Sequence, residues 1–208
     1  MKKRNPYDII LAHELELQVG VTFDEPKVSD ARFANRTIQL DTQLEFNGCV
    51  FERVMFSGNF GKVQFIDCIL DRCDLSNTNF EASRFHRVKI SGSKGMGVKF
   101  TKAKWQFVTI DDSVLNYGEF ADVDFQDVIL SKCDLSQSSF FSADLKRVSL
   151  YQVNLSQSDF SDTPLHGLDF STSDIGGIRV STHCLKGLIV NASQAIALIG
   201  LFGVNVTG

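Results

Sequence analysis

A step of five residues carries large apolar side chains through most of this chain. From Phe60 it lands on Phe65, Leu70, Leu75, Phe80, Phe85, Ile90, Gly95, Phe100, Trp105, Ile110, Leu115, Phe120, Phe125 and Leu130, and it runs on in phase to Val190. Of these 27 positions only Gly95 is not large and apolar. Two residues before each, as far as Val153, sits a small or β-branched residue, such as Val63, Cys68, Cys73, Thr78, Ser83 and Val88. Neither the 3.6-residue period of a helix nor the two-residue period of a flat strand can hold a phase of five for so long. The backbone must turn a corner every five residues.

A second regularity sets the number of corners per coil. Every twentieth residue gives one column of phenyl rings, Phe60, Phe80, Phe100, Phe120, Phe140 and Phe160, and a second column opens Phe65, Phe85, Trp105, Phe125. The other two columns, Leu70 to Leu150 and Leu75 to Leu155, are aliphatic except for Gly95. Like stacks on like at four pentapeptides per coil. At the spacing of neighbouring strands, about 4.8 Å, residues 40–190 make roughly seven or eight coils and a solid rod about 40 Å long.

The segments SNTNF, CDLSQSSF, SADLKRVSL, QVNLSQSDF and STSDI resemble the A-[D/N]-L-x-x motif of the pentapeptide-repeat family. The resemblance covers about three quarters of the chain and implies an all-β fold, a right-handed quadrilateral β-helix. The expected organisation is an N-terminal capping segment over 1–30, the repeat solenoid over 31–190, and a C-terminal helix and dimerisation segment over 191–208.

Two departures from the rhythm stand out. Phe46, Phe51 and Phe56 keep the step in another phase, and the four-residue interval to Phe60, flanked by Gly58 and Gly61, predicts a tight or bulged corner. Gly95 leaves a core position empty. A neighbouring side chain filling the gap is the favoured expectation, with a local bulge serving a partner as the alternative.

A solenoid exposes a strand edge at each end and needs caps. Leu15, Leu17, Val19, Val21 and Phe23 alternate with polar or small residues, which predicts a half-buried strand, with residues 1–30 lying against the first coil. At the other end, Asn191 or Ser193 can cap a short helix through Ala195–Ile199 that Gly200 or Gly203 stops. That helix has almost no polar face. It either folds down over the last coil or, as the favoured expectation, buries Gln194, Ala195, Ile196, Leu198, Ile199, Leu201, Phe202 and Val204 in a two-fold dimer. The Q-A-I-x-L pattern at 194–198, followed by L-F-G-V, also resembles the C-terminus of the Qnr-type quinolone-resistance proteins, which implies dimerisation there.

Charge is segregated along the chain. The residue before each large apolar one is basic at Arg84, Lys89, Lys94, Lys99 and Lys104, a collar of more than one coil. Beyond it come Asp111, Asp112, Glu119, Asp122, Asp124, Asp134, Asp144, Asp159, Asp169 and Asp174. With 25 acidic against 21 basic residues, direct nucleic-acid binding is not expected. The Qnr resemblance implies instead that these carboxylates form a face imitating duplex DNA, which meets DNA gyrase and topoisomerase IV. The unbroken phase from 60 to 190 leaves no room for the projecting loops of some Qnr-type proteins, which puts loop-dependent drug protection in doubt. The bland alternative for the acidic coils is a solvated face that caps local turns.

No constellation for catalysis emerges. The four histidines, at 13, 86, 166 and 183, lack metal-ligand spacing, and neither GxSxG, a P-loop nor GxGxxG occurs, so no enzyme, metal or cofactor is expected. Cys49, Cys68, Cys73, Cys133 and Cys184 suit buried thiols better than disulfides or zinc. Neither a signal peptide nor an apolar run long enough for a membrane span is read, and the expected location is cytoplasmic. The competing function is a generic interaction scaffold without topoisomerase activity.

Overall fold

The computed structural model describes residues 5, 7–9, 16–17, 26–40 and 43–207. Its strands are β1 (Glu16–Leu17), β2 (Lys27–Ser29), β3 (Ala31–Ala34), β4 (Thr37–Leu40), β5 (Glu45–Asn47), β6 (Val50–Glu52), β7 (Met55–Gly58), β8 (Gln64–Asp71), β9 (Arg84–Ser91), β10 (Lys104–Asp111), β11 (Asp124–Ser131), β12 (Asp144–Tyr151), β13 (Asp159–Phe160) and β14 (Arg179–Val180). One α-helix, α1 (Ala192–Ile199), follows. Every pairing is parallel and joins one coil to the next, giving a solenoid of about 8 coils.

The four sides take their names here from their core residues in one regular coil: Phe60, Phe65, Leu70 and Leu75. Strands β8 to β12 each span two sides, stacking Phe65, Phe85, Trp105, Phe125 and Leu145 in register. On the other two sides single bridges run Asn59–Asn79–Lys99–Glu119–Ser139–Asp159 and Asp74–Lys94–Val114–Asp134–Asn154–Asp174, with short ladders only toward the ends, β4 with β7 and β13 with β14. Inside, the predicted rings pile up, with centroids 5.3 Å apart for Phe60–Phe80, 5.2 Å for Phe80–Phe100, 5.4 Å for Phe100–Phe120, and 4.8 Å for both Phe120–Phe140 and Phe140–Phe160.

The corners show why five residues suffice for a side. From Lys62 to Asp162 every fifth residue has a positive φ, between 48° and 65°, and only Gly92 and Gly97 in that series are glycines. A residue in this left-handed region turns the chain, and where it is the third residue of a type II turn the fourth N–H closes back on the first carbonyl, as from Ser83 to Phe80 at 3.1 Å. Each such non-glycine residue costs on the order of 1 kcal/mol, and each buried Phe returns roughly 1.5–3 kcal/mol, so the core carries the strained corners. The inward residues two before the core position must be small to fit inside a corner. Where they are polar they find carbonyls of the neighbouring coil: the Thr78 hydroxyl donates to Phe56 and the Ser158 hydroxyl to Leu135, both at 2.8 Å.

The phase shift near Phe56 is a change of coil length. Val28 pairs with Phe46, 18 residues on; Phe46 with Phe65, 19 on; and Phe65 with Phe85, 20 on. The missing residue is taken up after Phe56, where Gly58 has φ 102. Gly95 makes no bulge. A side chain there would meet Leu115 Cδ2 at 2.5 Å, so Leu115 already fills the space, as expected.

At the N-terminal end β1 pairs with β3 through Glu16–Ala31 and Leu17–Arg32, on the first coil. The segment also reaches further than expected: the Tyr7 ring packs edge-on against Phe107, 5.9 Å away, and Phe107 lies several coils further along the rod. Leu15, Val19, Val21 and Phe23 lie outside the described residues.

Candidate functional site

The collar closes around the rod. Arg84 and Lys104 are register partners on the Phe65 side, Lys89 projects from the Leu70 side, Lys94 from the Leu75 side and Lys99 from the Phe60 side, all exposed. Of the five, only Lys99 makes an ion pair among the described residues, with Glu119 at 3.2 Å. Residues 26–110 carry 13 basic against 8 acidic side chains, and residues 111–207 carry 5 against 12, so the rod changes sign along its length.

The ten predicted carboxylates do not share one side. Asp124 and Asp144 are register neighbours on the Phe65 side. Glu119 and Asp159 lie on the Phe60 side, and Asp134 and Asp174 on the Leu75 side, each pair two coils apart with Ser139 or Asn154 between. Asp169 stands on the Leu70 side, paired with Ile189. Asp111 and Asp112 occupy the corner between the Leu70 and Leu75 sides, and Asp122 the corner between the Phe60 and Phe65 sides. The acidic half is therefore a charged girth.

Part of that charge is spent locally. Asp134, Asp159, Asp169 and Asp174 each accept the backbone N–H two residues ahead at 2.9–3.0 Å, capping the next corner. Glu119, Asp144 and Asp159 pair with Lys99, Lys146 and Arg179. Burial works against ionisation of Asp159, but Ser161 and Arg179 outweigh it and hold its carboxyl below the ordinary range. Asp169 is held low by Ser171. The other seven predicted carboxylates make no ion pair among the described residues.

At the C-terminal end Asn191 caps α1 in a reciprocal box: its side chain accepts the Gln194 N–H at 3.0 Å, and Gln194 Oε1 accepts the Asn191 N–H at 2.8 Å. Gln194 Nε2 then donates to the carbonyls of Phe170 and Ser173 at 2.9 and 2.7 Å, bolting the helix to the last coil. Leu198 packs on the core. These two residues face the rod, because the helix must satisfy its own end and cover the last coil before it can meet anything else. Ile196, Ile199, Leu201, Phe202 and Val204 stay exposed, Ile196 at 55% and Phe202 at 60%.

All five cysteines are buried and free, as expected. Burial pushes the Cys73 thiol up to about 12 and Cys133 to about 11, so neither is a nucleophile near neutrality. No cluster of three or more metal-ligating side chains occurs among the described residues.

Two sequence-family models match the repeats in tandem: the pentapeptide repeat region over residues 42–120, and pentapeptide repeats (8 copies) over 119–157 and 138–177. The chain belongs to the pentapeptide-repeat family. No curated protein matches it in sequence. Among solved structures, this pentapeptide-repeat chain is similar to a trypsin-treated variant of QnrB1, a plasmid-mediated fluoroquinolone resistance protein, at 21% identity and TM-score 0.49, covering 94% of this chain and 100% of that one. It is also similar to a pentapeptide repeat protein of the Arabidopsis thaliana thylakoid lumen (20%, TM-score 0.37, 48% and 66% covered). A third is HetL of the cyanobacterium Nostoc, involved in heterocyst differentiation regulation (15%, TM-score 0.29, 81% and 91% covered). No helix among the described residues is long and apolar enough to cross a membrane.

Proposed function

We propose that this protein is a non-enzymatic cytoplasmic rod that binds type II topoisomerases, DNA gyrase and topoisomerase IV, by imitating the charge of duplex DNA. In doing so it modulates or protects them, conferring quinolone resistance or tolerance. The observation that supports this reading most is the sign change along a stiff rod, with 12 acidic against 5 basic residues over 111–207 and carboxylates present on all four sides. A basic surface built to hold DNA meets there the potential it is built for, without phosphates. The exposed apolar end formed by Ile196, Ile199, Leu201, Phe202 and Val204 supports a two-fold dimer, which would place two acidic halves back to back. The similarity of the C-terminal Q-A-I-x-L and L-F-G-V segments to Qnr-type proteins points the same way.

The test is a supercoiling titration with purified gyrase, with and without a fluoroquinolone. The expected result is a concentration-dependent change in supercoiling or rescue from the drug; no effect in either arm sinks the reading.

One observation favours a second reading, a general interaction scaffold. Three of the ten carboxylates are paired with cations and four cap corners, which is what a solvated, soluble surface needs. A scaffold leaves gyrase untouched in the same assay.

A further inference from the structure

On the Leu75 side the residue before the core position is, coil by coil, Asp74, Lys94, Val114, Asp134, Asn154 and Asp174. Val114 is the apolar exception, and it is 44% exposed. Asp74, Asp134, Asn154 and Asp174 each accept the N–H two residues on, at 2.9–3.0 Å. Val114 has no such oxygen, so its coil gives up a corner cap and wets a β-branched side chain instead.

Three residues on, Tyr117 holds a bulky ring at φ 59, in a column otherwise made of Asn77, Gly97, Gln137, Gln157 and Gly177. Asn and Gly suit that conformation and an aromatic residue does not. Tyr117 is 52% exposed, as is Met96 in the preceding coil, where the N–H groups of Gly95 and Gly97 donate to the carbonyls of Val114 and Asn116. Between Val114 and Tyr117, the side-chain oxygen of Asn116 is shielded from water and unpartnered among the described residues. Gly92 and Gly97 lie one coil before Asp112 and Tyr117, whose neighbours on the collar side therefore carry no side chain.

Local rules broken side by side with no structural return mark a surface kept for another purpose. The surrounding charge indicates what it meets. Asp111 and Asp112 at the adjoining corner and Asp134 in the next coil are all without ion pairs among the described residues, while Lys94 lies on the collar side. Together with the acidic coils that follow, this favours a basic protein surface over nucleic acid.

We propose that Met96, Val114 and Tyr117 form an apolar anchor that receives an apolar side chain projecting from the basic surface of the partner. The proposal rests on the topoisomerase reading and adds to it that charge imitation is incomplete: a site DNA does not possess fixes where along the rod the partner stops. Apolar contacts inside a charged rim are the usual seat of binding energy at protein interfaces.

The test is the double substitution Val114→Asn and Tyr117→Asn, which restores the side chains this fold uses at both columns. The thermal midpoint should stay level or rise, because a cap and a left-handed-tolerant residue are regained. Affinity for purified gyrase, measured at low and moderate salt, should fall roughly tenfold or more with its salt dependence unchanged, since no charge is removed. If wild type binds gyrase and the variant binds within about twofold of it, the anchor is wrong and charge imitation stands alone. If wild type itself does not bind, the topoisomerase reading has failed and takes the anchor with it. If the substitution changes the sedimentation of the free protein, the patch is a contact between copies and the proposal is overturned.

Discussion

Phe120 and Phe140 stack nearly parallel, 5° apart with centroids at 4.8 Å, from side chains that lie 20 residues apart in the chain. The separation of the rings is the spacing of adjacent coils, so the column holds the coils at their strand-pairing distance while its hydrophobic burial drives closure. Phe120→Ala should cost about 3–5 kcal/mol, and Phe120→Leu clearly less, because a cavity in a stacked column has rings above and below that cannot relax into it. Urea denaturation followed by circular dichroism measures both, and equal, small losses for the two variants would deny the column its role.

The corners make a prediction of opposite sign. Ala82 has φ 54 and is exposed, so Ala82→Gly should stabilise by roughly 0.5–1 kcal/mol by removing the strain of a Cβ in the left-handed region. Ala103, buried at an inward position, is the control, and Ala103→Gly should destabilise. The shift in urea midpoint of each variant decides the point.

Acid should loosen the rod. The Arg147 guanidinium holds the Asp127 carboxyl below its ordinary range, Lys27 does the same for Glu45 and Arg32 for Glu52. A carboxyl whose folded pKa is depressed contributes stability that is complete above the unfolded value and is lost as pH falls through the folded one. Stability should decline below about pH 4 as these carboxyls protonate, in addition to a loss that begins nearer pH 6.5, where burial and Arg87 keep His86 neutral in the folded rod. Arg147→Gln should reduce only the acidic decline. Thermal midpoints across that range, with and without the substitution, check the sign.

Much of this architecture can be read from the chain because a pentapeptide solenoid repeats its contacts: residue and partner are always about one coil apart, and period alone supplies the register. The 19-residue coil shows in the four-residue interval from Phe56 to Phe60, and Asn191 is one of the two caps the sequence offers for α1, but the reciprocal part of Gln194 emerges only in the structure. Contacts without a period were not visible. Nothing in the sequence brings Tyr7 to Phe107, and the double donation of Gln194 to Phe170 and Ser173 depends on how α1 sits across the last coil. The carboxylates read as one face are spread over four sides and their corners, because a five-residue step rotates the chain by a quarter turn each time. Val114 and Tyr117 carried a signal, an apolar residue where neighbouring coils are polar, that shows only when the columns are aligned by 20.

The C-terminal end should govern association. Ile196→Asp with Phe202→Asp should convert a dimer to monomers without loss of fold, since both side chains are exposed, whereas Leu198→Asp should also damage stability because Leu198 packs on the core. Sedimentation and thermal denaturation together separate the two effects. A wild-type protein that is monomeric at all concentrations contradicts the dimer.

The most direct measurement is the affinity of purified gyrase for the wild-type protein and for a variant with lysine at Asp111, Asp112, Asp122 and Asp124, as a function of salt. None of these four carboxylates makes an ion pair among the described residues, and because lysine at 124 would face its register partner Lys104, thermal denaturation of the variant is measured alongside to separate lost binding from lost fold. Charge imitation predicts wild-type binding that weakens steeply with salt and a variant whose binding is abolished or nearly so at every salt concentration. A variant that binds and affects supercoiling as wild type does, or a wild type that does not bind even at low salt, contradicts it.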